Sequence, residues 1–153
     1  MSAHEQESDQ GQAPSARDEG APDGGPFEWV RRGMQLLDGG DAAAAAVLLE
    51  RAAGESPGSS SLCEALGRAH FDSGRFEPAA QQFERLVDLE PTSDYAHFGL
   101  GLALGRLGRF VPAAEHLSMA VAMRPERKEY AQALREVRAT IAARRDAGSA
   151  PST

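Results

Sequence analysis

A chain of 153 residues with 41% hydrophobic side chains and a formal net charge of −7 has room for one domain with a modest core, and its acidic balance speaks against a nucleic-acid partner. Its single cysteine excludes an internal disulfide, and no Cys/His grouping has zinc-like spacing, so a reduced, cytoplasmic setting is expected. The first residues are acidic with no apolar core, which argues against a secretory signal. The longest apolar runs, Ala42–Leu49 and Met119–Met123, are too short to cross a bilayer, so no membrane role is expected.

In chain order, Met1–Gly25 carries Glu5, Glu7, Asp9, Asp18, Glu19 and Asp23 against Arg17 and almost no large apolar residue. Such a segment cannot bury enough surface to offset its ordering entropy and is expected to be disordered. Gly24, Gly25 and Pro26 punctuate the start of a helix over Phe27–Asp38, which Gly39 and Gly40 end, because glycine takes the left-handed turn cheaply. Ala42–Glu55 is the returning helix. Gly74 and Gly108 repeat that stop after helices over Ser61–Ser73 and Tyr95–Leu107. Pro78 and Pro112 stand in the first turn of the helices that return, where a missing N–H costs nothing. Pro57, Pro91 and Pro125 close the three units, since a residue before proline is pushed out of helical geometry. A last helix over Glu126–Asp146 has Tyr130, Leu134, Val137 and Ile141 on one stripe, with arginines around the rest. Ala147–Thr153 returns to tail composition. The excess of Arg over Lys, with abundant Ala and Gly, fits a GC-rich bacterial genome.

Ser60–Ser93 and Asp94–Arg127 superpose without a gap: Gly67 on Gly101, Gly74 on Gly108, Phe76 on Phe110, Pro78 on Pro112, Ala79 on Ala113 and Pro91 on Pro125, each pair 34 apart. Another step of 34 back reaches Gly33, Gly40, Ala42, Ala45 and Pro57, so a more diverged copy spans Pro26–Ser59. Cys63, Leu66, Gly67, His70, Ala79, Phe83 and Pro91 fill the slots that tetratricopeptide repeats give to Trp, Leu, Gly, Tyr, Ala, Phe and Pro. His97, Leu100, Gly101, Leu104, Ala113, Leu117 and Pro125 fill them in the last copy, and Trp29, Arg32, Gly33, Leu36, Ala45, Leu49 and Pro57 in the first. The chain therefore resembles that family, departing from it at Cys63, His97 and Arg32. The resemblance implies an all-α fold: a right-handed α-solenoid of three antiparallel helix pairs (26–59, 60–93 and 94–127) plus a capping helix, within a domain over 26–146. It further implies that Gly33, Gly67 and Gly101 sit at the closest approach of each helix pair, opposite Ala45, Ala79 and Ala113.

The family also implies a non-catalytic module that binds a segment of another protein on the concave side. The slots there hold Phe27, Val30, Met34 and Leu37, then Ser61, Glu64, Arg68 and Phe71, then Tyr95, Phe98, Leu102 and Gly105. The first helix has a second apolar stripe beyond Trp29, Gly33 and Leu36, and in a small soluble protein such a stripe needs covering. The occupant is a peptide or amphipathic helix of a partner, or a second copy in a homodimer. The clamp with which chaperone-docking members grip an acidic C-terminus is missing, since its slots hold Val30, Met34, Ala65, Tyr95 and Gly99. No cofactor is expected: the string Gly99, Gly101, Gly105 fails the dinucleotide spacing and follows no strand. His70 and His97 are expected to be core residues near one another, His116 to stand alone, and Cys63 to be a buried filler. No Ser/His/Asp or paired-carboxylate arrangement assembles on one helical face, so no catalytic residue is assigned.

Overall fold

A computed structural model describes residues 24–56 and 58–149. The expected tail over 1–25 therefore falls outside the described residues up to Asp23, as do Pro57 and the last four residues. The described residues form seven helices: α1 (Pro26–Asp38), α2 (Ala42–Glu55), α3 (Ser60–Asp72), α4 (Phe76–Leu89), α5 (Asp94–Arg106), α6 (Phe110–Met123) and α7 (Lys128–Gly148). Each packs on its neighbours in the chain, with lighter contacts between α1 and α3, α3 and α5, and α5 and α7. This is a solenoid of three helix pairs closed by a seventh helix.

Local chemistry sets the boundaries. Asp41, Ser59 and Ser93 accept hydrogen bonds from the amides of Ala44, Leu62 and Ala96 at 3.2, 3.2 and 3.1 Å, satisfying donors that the first turn leaves open. Because the two serines are caps, α3 and α5 begin one residue earlier than the sequence pattern indicates. Pro26 occupies the first turn of α1. Gly40, Gly74 and Gly108 turn the chain with φ of 92°, 81° and 81°, a region that side chains disfavour. The last helix begins two residues later than expected and runs to Gly148, past the expected end at Asp146.

Three buried clusters follow one another along the solenoid: Leu37, Ala45, Leu49 and Leu66 in the first, Cys63, Phe83, Leu100 and Ala113 in the second, and Leu117, Ala133 and Leu134 in the third. The repeated glycines do mark a close approach within each pair, and the nearest group they meet is a large side chain one turn beyond the alanine. A Cβ on Gly33 would lie 2.8 Å from the Leu49 side chain, one on Gly67 2.7 Å from Phe83, and one on Gly101 2.6 Å from Leu117. That residue reaches across to the glycine, and at Gly101 the Ala113 carbonyl also comes near, at 3.2 Å.

Candidate functional site

Between successive first helices the lighter contacts leave a groove. One part lies between α3 and α5, a cleft of about 160 Å³ lined by Arg68, Phe71, Asp72, Phe83, Tyr95, Phe98, Gly99 and Leu102. Five of the residues singled out in the sequence, Arg68, Phe71, Tyr95, Phe98 and Leu102, meet here. Phe83, from the core side of α4, forms the floor and stands edge-on to Tyr95 at 6.1 Å. Gly99 lets it do so, for a Cβ there would lie 2.5 Å from the Phe83 ring. Phe98 leans on Tyr130 of α7 at 4.5 Å, and the Tyr130 hydroxyl donates to Asp94 at 2.6 Å, so the far wall is braced by the cap. Burial pushes the Tyr95 hydroxyl pKa up, opposed by Arg68 and reinforced by Glu64 and Asp72; its neutral form lines the cleft. Arg68 approaches Asp38 at 3.8 Å. The Arg106 guanidinium lies over Phe71 and Phe76 at 5.1 and 5.2 Å, as a cation favours an aromatic face.

The remaining sequence-predicted residues disperse. Phe27, 80% exposed, joins Val30 and Ser61 at a separate cleft of about 500 Å³, with Pro26, Arg31, Ser56, Ser59 and Leu62. Glu64 lines a shallow recess with Ser60, Ser61, Leu86 and Glu90. Met34 is half-buried against the first core cluster. Leu37 is a correction: it is 6% exposed and belongs to that cluster, not to the groove. The small Ala65 and Ala69 of α3 lie in the same cluster; small side chains let α3 close over the last turn of α1. A further cleft of about 160 Å³ continues the groove from Leu102, Gly105 and Arg106 to Ala133, Glu136, Val137 and Thr140 of α7. Sequence reasoning assigned α7 to capping alone. Its apolar stripe at helical spacing was the available signal that it also forms a wall.

Residues 64–128 match the tetratricopeptide repeat family. These residues carry tetratricopeptide repeats. Three solved structures share the fold. The first repeat domain of Spaghetti (RPAP3), bound to the HSP90 peptide SRMEEVD, aligns with a TM-score of 0.72 at 17% identity, over 80% of this chain and 97% of that one. The Sgt2 repeat domain from Aspergillus fumigatus gives 0.73 at 18%, over 87% and 89%. MamA of MSR-1 gives 0.73 at 21%, over 90% and 75%. No curated protein matches.

Within the repeats the histidines are arranged differently from the sequence expectation. His70 does not meet His97. Its Nε2 lies 2.8 Å from the Glu50 carboxylate, while its buried Nδ1 has no partner among the described residues. His116, expected to stand alone, has its Nδ1 3.0 Å from Nδ1 of His97, whose Nε2 lies 2.9 Å from the Pro91 carbonyl. Cys63 is buried in the slot that Trp29 holds in the first repeat, and burial pushes its thiol pKa up, away from the reactive thiolate. Among the described residues no three His, Cys, Asp or Glu side chains group as metal ligands, and no helix is long and apolar enough to cross a membrane.

Proposed function

We propose that this protein is a non-catalytic interaction module whose concave groove takes a short apolar segment or amphipathic helix of a partner protein, anchored between α3 and α5. The observation that carries this reading is the convergence of Phe71, Tyr95, Phe98 and Leu102, with Phe83 beneath them, on one open cleft beside Arg68. Large aromatic groups in a desolvated cleft are where binding energy concentrates, and a flanking arginine fixes orientation. The Spaghetti domain, bound to an HSP90 peptide, supports the same use of the fold. The charged groups suit orientation better than proton transfer: Arg68 faces Asp38 and Arg106 is spread over two rings. A reduced compartment suits the buried thiol.

The test is a pull-down from native lysate with wild type, Phe98→Ala and Arg75→Ala, each checked for helicity, followed by affinity measurement on the recovered partner. Phe98→Ala should cost about 1–2 kcal/mol of affinity or more, and Arg75→Ala, on a turn remote from the cleft, close to none. Equal recovery by all three removes the groove from consideration. A second reading, self-association, is favoured by the exposed Phe27 beside its own apolar cleft. Sedimentation showing a dimer that Phe27→Glu dissolves would establish it.

A further inference from the structure

The first turn of α5 holds a polar contact that partner binding does not require. His97 is buried, and the Pro91 carbonyl 2.9 Å from its Nε2 can only accept, so Nε2 carries the proton and Nδ1 of the neutral ring is an acceptor. His116 must then donate from its own Nδ1 across the 3.0 Å gap. The two rings lie nearly parallel, 21° apart with centroids at 5.3 Å. One proton between two imidazoles therefore ties α5 to α6. A first added proton, on Nε2 of His116, leaves that bond in place. A second, on Nδ1 of His97, would set two N–H groups and two positive charges against each other at hydrogen-bonding distance, and the contact must open.

The surroundings favour the neutral pair. Burial first, and then His97, hold the His116 pKa below its usual range, against the opposing pull of Glu115 on α6 and Glu84 on α4. On α7, which packs on α5 and α6, Tyr130 is engaged with Asp94 and Arg138 with Ser118. The contrast within the molecule is His70, whose Nε2 faces the Glu50 carboxylate and not a second imidazole. Two groove residues flank the tied histidine, Tyr95 two positions before it and Phe98 directly after.

We propose that the His97–His116 pair is a proton-sensitive latch that holds the first turn of α5, and with it Tyr95 and Phe98, in place near neutral pH and releases it on acidification. Its consequence for binding rests on the groove reading, but the latch can be tested without any partner. The sign follows from linkage: the unfolded chain can charge both imidazoles, whereas the folded contact cannot hold both added protons, so the unfolded state binds more protons and stability falls as the pH falls.

The experiment is imidazole nitrogen and aromatic carbon NMR, with thermal melts, on the full chain and on His116→Gln, titrated from about pH 7.5 to about pH 5. Glutamine can donate to His97 Nδ1 and stays neutral throughout. At neutral pH the wild type should show a protonated Nε2 on His97 and a protonated Nδ1 on His116. On acidification the Tyr95 and Phe98 ring signals should shift or broaden, and the Tm should fall by several degrees more than that of His116→Gln, whose ring signals stay put. The opposite tautomers, or the same acid response in both proteins, would overturn the latch while leaving partner binding to be decided by Phe98→Ala. Should His116→Gln fold poorly, the wild-type tautomers and ring shifts still decide.

Discussion

At Gly101 an added Cβ would lie 2.6 Å from Leu117 Cγ and 3.2 Å from the Ala113 carbonyl, so one neighbour is a side chain and the other is backbone that cannot swing away. Gly101→Leu should therefore destabilise through overpacking, by about 1–3 kcal/mol; an unchanged urea midpoint would remove the glycine from the α5–α6 contact. Tyr130 makes a different demand. Burial and its hydrogen bond to Asp94 push its pKa far above the usual tyrosine value, so the folded protein holds the neutral form. The stability this supplies is complete below the unfolded value of about 10 and is lost as pH rises beyond it. Melts between about pH 9 and pH 11 should show a steeper loss for wild type than for Tyr130→Phe, and parallel curves would contradict the assignment. The recurring glycines were legible in the sequence because their period exposed them. Gly99 was not, since its reason is the Phe83 ring arriving from another helix. The histidine pairing was hidden for the same cause: residues 97 and 116 meet only through the register of α5 against α6.

Among the elements, the helices with serine caps and glycine stops could be read to within a residue, because capping and left-handed turns are local chemistry. Leu37 was misplaced because α1 is apolar on two sides, and periodicity cannot say which stripe another helix will cover. That decision belongs to the small residues of α3, which lie in a different unit. The last helix shows the converse. Its stripe Tyr130, Leu134, Val137 and Ile141 reads as uniform, yet burial fades along it, from 1% exposure at Tyr130 and 7% at Leu134 to half-buried Val137 and Ile141. The first half of α7 docks closely, and the second is held more lightly, with Ile141 half-buried and the Arg144 guanidinium 4.7 Å from the Phe110 ring. Leu134→Ala should accordingly cost about 2–5 kcal/mol, as core truncations do. Ile141→Ala should cost less than about 1 kcal/mol, because little apolar area returns to water there. Equal losses in thermal melts would mean that the second half is as firmly seated as the first.

Across the whole molecule, stability is approximately a sum of repeats and the interfaces between neighbours, so the ends should differ from the middle. At the C-terminal end α7 covers the third core cluster, and Arg138 and Tyr130 reach back to Ser118 and Asp94. At the other end α1 begins at Gly25 with no side-chain cap, and Phe27 and Val47 stand 80% and 67% exposed. The pairs α3–α4 and α5–α6 have helices packed on both sides, whereas the pair α1–α2 has described neighbours on one side alone. Local opening free energies follow buried contacts. Native-state hydrogen exchange should therefore find α1 and α2 opening as a unit at lower free energy than α3 through α6, with α7 intermediate and its first half the slower to exchange. The ordering bears on binding as well. The cleft between α3 and α5 would then be carried by the most persistent part of the solenoid, preformed for its occupant, while the Phe27 cleft would share the weaker end. If α1 and α2 instead exchange as slowly as α5, something beyond the described helices covers the exposed face of the first repeat.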